Sequence, residues 1–589
     1  MKNKVISDFL KKYWTKYLAG IAFLILSAYI QTLAPAILGK IIDLLEKSTI
    51  NSRAVLIYTG YMILAALGTF VTRFIWRYFI IGNARNMECY LRQRLFEHFQ
   101  SLPVEFYNTR KTGDLVAYAV NDISAVRQTF GPGVALIING VGLGTISVIS
   151  MIGSVNLKLT VLSLLPIPII VFMMLKIGGE IQKRFRKVQE NFAAISDRAQ
   201  ENISGIRVIK SYVQEDMEVE RFEKLNDDMK ASNVKMVRVS SLTSPLTQAL
   251  FGVSFMINLI YGSSLVKNGV ITLGDFVAFN GYLTMIMRPV ISIGRVINIF
   301  QRGMASYKRL NEIFEVQPAE KDLNKIPTMD RLGGSLEIKN LTFNYPNAEE
   351  PALKNINLKL NRGQVLGIMG KTGSGKTTLI NVLLRLYDIE KGNVFFDGKD
   401  INDVPVDTLR ESIGCVPQDN FLFSATIDDN IRFFSDEYSD EDVENAAKMS
   451  LIYQSVMDFP EKFETLVGER GVNLSGGQKQ RISIARAIIK NPSILILDDS
   501  LSAVDTKTEE SILENLKEIL QERTGIIIAN RVSAVKNADQ IVIMDSGRIV
   551  ERGTHDELME KKGIYFDLYQ EQIERGKRVE HIGCQKLNK

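Results

Sequence analysis

Six apolar stretches crowded into the first half of the chain limit what it can fold into: Tyr17 to Leu38, Ala54 to Ile81, Gln128 to Asn156, Leu159 to Leu175, Val239 to Val266 and Phe276 to Ile293. A helix needs about 20 apolar residues to cross a hydrocarbon core of roughly 30 Å, because lipid offers backbone groups no hydrogen-bond partner. Each stretch meets that need, the second across Arg73 and Arg77 and the sixth across Arg288 and Pro289. Little more than Leu157 and Lys158 joins the third to the fourth, whereas long excursions follow the second and again the fourth. The excursion from Gly178 to Arg238 carries Lys183, Arg184, Arg186, Lys187, Arg198, Arg207, Lys210 and Arg221. Cation-rich connections stay in the cytoplasm, so both excursions and both termini are expected there.

Apolar residues recur at helical spacing in Cys89 to Phe106 and Phe192 to Tyr212, which predicts spans that continue as helices beyond the membrane. Periodicity alone leaves these helices as solvated struts. Lys2, Lys4, Lys11, Lys12 and Lys16 precede the first apolar run as in a signal peptide, but the run is too long and no small-residue cleavage site ends it. It reads as a first span entered from the cytoplasm.

At 589 residues the chain exceeds the roughly 250 to 300 that one core supports, and its 46% hydrophobic and 23% charged residues average two unlike halves. The expected layout is a six-span domain over 1–315, a linker over 316–334, an α/β domain over 335–575 and a polar tail over 576–589. A formal charge of +5 gives nucleic-acid binding no support. Cys89, Cys415 and Cys584 lie far apart without metal-ligand spacing, which fits a reducing compartment for the soluble parts.

Beyond the linker, short β-branched runs alternate with helical patterns. Val365 to Met369 leads directly into Gly370-Lys371-Thr372-Gly373-Ser374-Gly375-Lys376-Thr377, followed by Thr378, a full Walker A motif between a strand and a helix. Its glycines let backbone amides wrap phosphate oxygens, Lys376 neutralises the β and γ phosphates, and the Thr377 hydroxyl can ligate magnesium. Ile494 to Leu497 ends in Asp498, a carboxylate placed to hold hydrated magnesium. Acidic residues often end strands, so Asp498 alone would carry little.

Leu474-Ser475-Gly476-Gly477-Gln478, continuing as Lys479-Gln480-Arg481, resembles the signature of ATP-binding cassette proteins, which other phosphate-loop ATPases lack. The resemblance implies a two-domain membrane protein: a six-helix all-α domain of the exporter type, extended into the cytoplasm, and a phosphate-loop α/β nucleotide-binding domain. Its cofactors would be ATP and Mg2+. Tyr345 looks like the aromatic that stacks on adenine, worth about 1 to 3 kcal/mol. Gln418 looks like the glutamine that touches magnesium and senses the membrane domain, and Thr378 joins the nucleotide-binding set. Gly468-Glu469-Arg470-Gly471 resembles the exporter loop that meets the cytoplasmic helices, and Ser502-Ala503-Val504-Asp505 the loop passed to the opposite subunit. In the membrane half, Thr112-Gly113-Asp114-Leu115 and Ile203-Ser204-Gly205-Ile206-Arg207-Val208-Ile209-Lys210 match the exporter branch, where such segments lead to coupling helices.

Two positions depart from the family pattern. Asp499 stands where a catalytic glutamate is usual, and Ala529-Asn530-Arg531 stands where the switch loop usually reads Ala-His-Arg. An aspartate is one methylene short of the reach of about 2.6 to 3.2 Å that a general base needs. Asparagine carries neither a proton nor a positive charge. With Walker A intact, these departures resemble the degenerate subunit of heterodimeric bacterial multidrug exporters. Ser475, Gly476, Gly477 and Gln478 would then complete the competent site of a different half-transporter, with membrane lipid and amphipathic small molecules as further partners. Two alternatives stay open: a homodimeric exporter of lipid or peptide with slow hydrolysis by Asp499, and a non-transporting regulatory cassette ATPase. The residues of the spans do not identify the cargo.

Overall fold

In a computed structural model of the chain, the structure describes residues 5–46, 52–318, 331–346, 348–468, 471, 473–500, 506–520 and 523–574. It divides into two compact units, one of residues 1–102 and 110–317, the other of 103–109 and 318–589.

Among the described residues of the first unit are six helices long and apolar enough to cross a membrane. They are α1 (Val5–Glu46), α2 (Ser52–Ser101), α3 (Thr112–Gly153), α4 (Leu157–Ser204), α5 (Glu215–Lys267) and α6 (Leu273–Glu315). At about 1.5 Å rise per residue, the 48 residues of α4 extend roughly 72 Å, more than twice a hydrocarbon core. The excess is the helical continuation that the spacing in 192–212 predicted. The sixth span is one helix from Leu273 to Glu315, with Pro289 inside it.

Local chemistry sets the turns. Asn156, in extended conformation, accepts from the backbone N–H groups of Lys158 and Leu159 and starts α4 directly after α3. Thr272 and Asp275 form a reciprocal capping box at the start of α6. Asp43 of α1 accepts from Gly274 N at 2.7 Å and Thr272 Oγ1 at 2.9 Å. The two helices approach so closely that a Cβ on Gly274 would lie 2.0 Å from Gly39 O. Further along, Asp122 of α3 is buried and accepts from Ser306 Oγ at 2.7 Å and from Arg309 of α6.

The second unit is α/β. One sheet has the order β2-β1-β4-β5, from β1 (Leu336–Phe343), β2 (Leu353–Leu360), β4 (Val394–Phe396) and β5 (Lys399–Asp400). The other has the order β10-β9-β3-β8-β7-β6. Its strands are β3 (Val365–Gly370), β6 (Ile413–Val416), β7 (Ile494–Asp498), β8 (Thr524–Ile528), β9 (Gln540–Asp545) and β10 (Arg548–Gly553). All its pairings are parallel except β9 with β10. Strands β7 and β8 are buried at every position, as continuous apolar runs in a covered parallel sheet should be. A separate helical core gathers Leu422, Ile427, Ile431, Val443 and Ile452 with Leu474 and Ile482.

Candidate functional site

Strands β3, β6, β7 and β8 run parallel, so their C-terminal ends share one edge of the sheet, the usual binding edge of such folds. From β3 the chain enters a loop and then helix α7 (Lys376–Leu383). Gly370 has φ +153°, and a Cβ there would lie 2.2 Å from Met544 O; Gly375 has φ +100°, and its Cβ would lie 2.8 Å from Ala352 O. Only glycine fits either place. The loop is closed by Ser374 N donating to Lys371 O at 3.1 Å and Gly547 N donating to Ser374 O at 3.2 Å. Lys376 Nζ donates to Gly370 O at 2.7 Å and Lys371 O at 2.9 Å, which lays its ammonium across the loop. Burial lowers the Lys376 pKa, while Asp498 and Asp499 pull it back up.

Ser374 Oγ is buried and has no hydrogen-bond partner among the described residues. A hydroxyl sealed in a glycine loop beside an ammonium suits a phosphate oxygen as acceptor. Asp498, 4% exposed, ends β7 and pairs with Ile528 of β8. Burial raises its pKa, the Thr377 hydroxyl bound to it works in the opposite sense, and neighbouring Asp499 raises it again. Thr377 and Asp498 fit Mg2+: a dication stabilises the ionised carboxylate that burial disfavours. Among the described residues no group of three His, Cys, Asp or Glu could hold a metal by itself. A Mg2+ that arrives with a nucleotide needs only one or two protein ligands, because phosphate and water supply the rest.

Asp499 follows in the left-handed region at φ +48°, with its N–H donating to Ile528 O at 2.9 Å. Burial raises its pKa, and the Asn530 backbone and side chain, both bonded to it, oppose the rise. Asn530 Nδ2 lies 3.0 Å from Asp499 Oδ2. The two residues that depart from the family pattern are therefore bonded to each other. Beyond them, Arg531 Nη1 donates to the buried Glu509 carboxylate at 2.6 Å, and Ser533 Oγ donates to the same carboxylate at 3.0 Å. Gln572 holds the loop from the far side, donating to Asn530 O and accepting from Val532 N, each at 2.9 Å. Sequence reasoning missed Glu509 and Gln572. Neither belongs to a motif, and an acid on an amphipathic helix ordinarily reads as surface.

Tyr345 donates from its hydroxyl to Thr378 Oγ1 at 3.0 Å, and its ring stands edge-on to Phe343 and Tyr387, both 5.1 Å away. Gln418 is exposed two residues past β6, the strand next to the one that ends in Asp498. Ser475 caps helix α8 (Gly476–Ile489) in a reciprocal box with Gln478, and Gly476 is exposed at its start. Among the described residues no hydrogen bond joins 475–478 to the phosphate loop, so the structure leaves these two sets apart. Asp505, with 469–470 and 501–504, lies outside the described residues.

The fold and site define an ATPase joined to a membrane-spanning helical domain. The chain matches the family described as "ABC transporter transmembrane region" over residues 17–290 and that described as "ABC transporter" over residues 353–502. It is 39% identical over 569 residues to the probable multidrug resistance ABC transporter ATP-binding/permease protein YheI of Bacillus subtilis, covering 97% of each chain. It is 34% identical to the multidrug resistance-like ATP-binding protein MdlA of Escherichia coli, over 96% of each. It is 31% identical to the ATP-dependent lipid A-core flippase of Photobacterium profundum, over 96% of this chain and 98% of that one. Its structure resembles that of a bacterial Atm1-family ABC exporter with ATP bound, at a TM-score of 0.78 and 25% identity, covering 94% of this chain and 99% of that one.

The chain belongs to the ABC transporter family. It is an integral membrane protein with an ATP-hydrolysing domain on the cytoplasmic side, and it carries the membrane and ATPase halves of an exporter in one polypeptide. Its cofactors are ATP and Mg2+.

Proposed function

We propose that this chain is the degenerate half of a heterodimeric exporter of amphipathic small molecules: its own pocket retains ATP and cleaves it slowly, and its signature completes the competent site of a different half-transporter. The bond between Asn530 Nδ2 and Asp499 Oδ2 carries this reading. A glutamate would carry its carboxylate about one bond further towards an attacking water, and a histidine would sense the γ phosphate with an imidazole. Here an amide donor engages one oxygen of the short acid, and the amide has neither a proton to pass on nor a positive charge.

The chain's own residues divide the remaining tasks. Residues 370–378 hold the phosphates, with Lys376 as counter-charge. Tyr345 presents a ring to the base, and Thr377, Gln418 and Asp498 hold Mg2+, which when bound neutralises phosphate charge. Ser475 to Gln478 and Asp505 serve the site shared with the partner. ATP binding draws the paired domains together and turns the membrane path outward, and hydrolysis at the competent site resets it. ATP retained here acts through its differential affinity for the closed state. Both termini face the cytoplasm in this reading. Relatives named for multidrug resistance and for lipid A-core flipping support an amphipathic cargo.

Purification of the tagged chain from its host, with identification of whatever accompanies it, tests the proposal. A second half-transporter with glutamate and histidine at the corresponding positions is the expected companion. Rapid, cargo-stimulated ATP cleavage by the chain alone would overturn the reading in favour of a homodimer. One observation favours that rival: burial raises the Asp499 pKa, which makes the ionised form a stronger base. Asp499→Glu separates the two, because a homodimer would gain turnover from that change alone.

A further inference from the structure

We propose that the membrane unit holds the anionic headgroup of its cargo on Arg73, Arg77 and Arg288, so that the exporter selects amphiphiles whose headgroup has a net negative charge from a phosphate, sulfate or carboxylate. This rests on the export reading above and names the class of cargo. The first unit contains a cavity of about 1000 Å³ between α1, α2, α3 and α6, at the upper end of the range for small-molecule sites. Its lining includes these three arginines and no aspartate or glutamate. Two of them have neutral neighbours: Arg73 Nη2 donates to Gln31 Oε1 at 3.4 Å, and the Arg77 guanidinium lies 5.7 Å from the Trp76 ring centroid. Most of the remaining lining is apolar, with neutral polar groups such as Asn139.

Charge at membrane depth is costly, about 2.5 to 3.5 kcal/mol for an arginine at the centre of a spanning helix, and such residues mark pathways when they face a cavity. Arg73 and Arg77 are four residues apart and share one face of α2. At 1.5 Å per residue, Arg288 lies about 22 Å from the Leu273 end of α6, and Arg73 and Arg77 about 32 and 38 Å from the Ser52 end of α2. In the chain α6 runs on towards the cytoplasmic ATPase domain, so its Leu273 end and the Ser52 end of α2 face outward, and a core of roughly 30 Å counted from those ends sets Arg288 in its inner half and Arg73 and Arg77 at its inner rim. Arg73 and Arg77 then lie at the level of inner-leaflet headgroups, with Arg288 further into the core. Arginines that merely snorkel to the cytoplasmic interface have no reason to converge from two helices on one cavity with apolar walls. A guanidinium fork matches an oxyanion in two parallel hydrogen bonds, the apolar wall receives the chain, and a cationic headgroup meets three like charges.

The chain has two tryptophans, Trp14 and Trp76, and Trp76 lines the cavity. In nanodiscs, quenching of Trp76 in full-length Trp14→Phe protein reports binding of brominated lysophosphatidylglycerol, lysophosphatidylcholine and a quaternary ammonium of the same chain length. The anionic probe should bind at least ten-fold more tightly than either other. Arg73→Gln with Arg77→Gln and Arg288→Gln should abolish that preference and leave lysophosphatidylcholine binding unchanged, whereas lysine at all three positions should retain it. Equal affinities of the three probes in the Trp14→Phe protein, or loss of quenching to inorganic phosphate with no chain required, would overturn the proposal. Uptake by inverted vesicles keeps the two readings separate. ATP-driven uptake blind to headgroup sinks the anion site and leaves export standing; an anion preference in binding with no ATP-driven uptake of any amphiphile sinks export and leaves the site.

Discussion

At the scale of single residues, the pair formed by Asp499 and Asn530 is the feature on which the proposed behaviour of the nucleotide pocket turns. Asp499 and Asn530 satisfy each other at 3.0 Å, so changing one alone leaves the other mismatched. Asp499→Glu by itself should therefore raise phosphate release by the purified complex only slightly. With the partner's competent site silenced, Asp499→Glu together with Asn530→His should raise it by about 10²-fold, the lower end of what a positioned general base contributes. Equal rates for the single and double variants would refute the pairing. The same edge of the sheet controls a thiol. Burial, with the nearby Asp498 charge adding to it, pushes Cys415 up to about 12. The reactive thiolate grows as pH rises towards the pKa, so Cys415 should resist iodoacetamide at pH 8 while exposed Cys89 reacts, as peptide mass spectrometry would read.

At the scale of elements, the switch loop is held from two sides. Glu509, fully buried, takes Arg531 and Ser533, and Gln572 of the helical segment 564–574 takes the backbone of Asn530 and Val532. Gln572→Ala should leave the fold intact and raise amide exchange at 530–532 by about five- to ten-fold, as expected from losing roughly 1 kcal/mol of hydrogen bonding. Unchanged exchange would show that Glu509 suffices. The strand before the phosphate loop, the helix after it and the strand that ends in Asp498 were legible, because apolar run length and glycine spacing are local signals. Glu509 and Gln572 were not, because their roles come from where two helices pack, which no spacing in their own segments encodes.

At the scale of the whole molecule, the long helices of the membrane unit are joined by polar contacts between α3 and α6. Asp122, 7% exposed, is held by Ser306 and Arg309 across α3 and α6. Arg309 is half exposed, which screens the pair, so Arg309→Ala should cost about 1.5 kcal/mol, the lower end for a hydrogen bond to a charged group, and lower the melting temperature in detergent. Ser306→Ala should cost less, and an equal loss from both would argue against a charge contribution.

The sequence by itself determined the number of membrane spans, the glycine loop between a strand and a helix, and the strand that ends in Asp498, because length, apolarity and glycine spacing act within short segments. Tertiary structure alone decided that Asp499 and Asn530 bond to each other, that Glu509 and Gln572 brace the switch loop, and that Arg288 faces the same cavity as Arg73 and Arg77. Those facts depend on which surfaces meet when strands and helices pack, and packing joins residues that the chain keeps far apart.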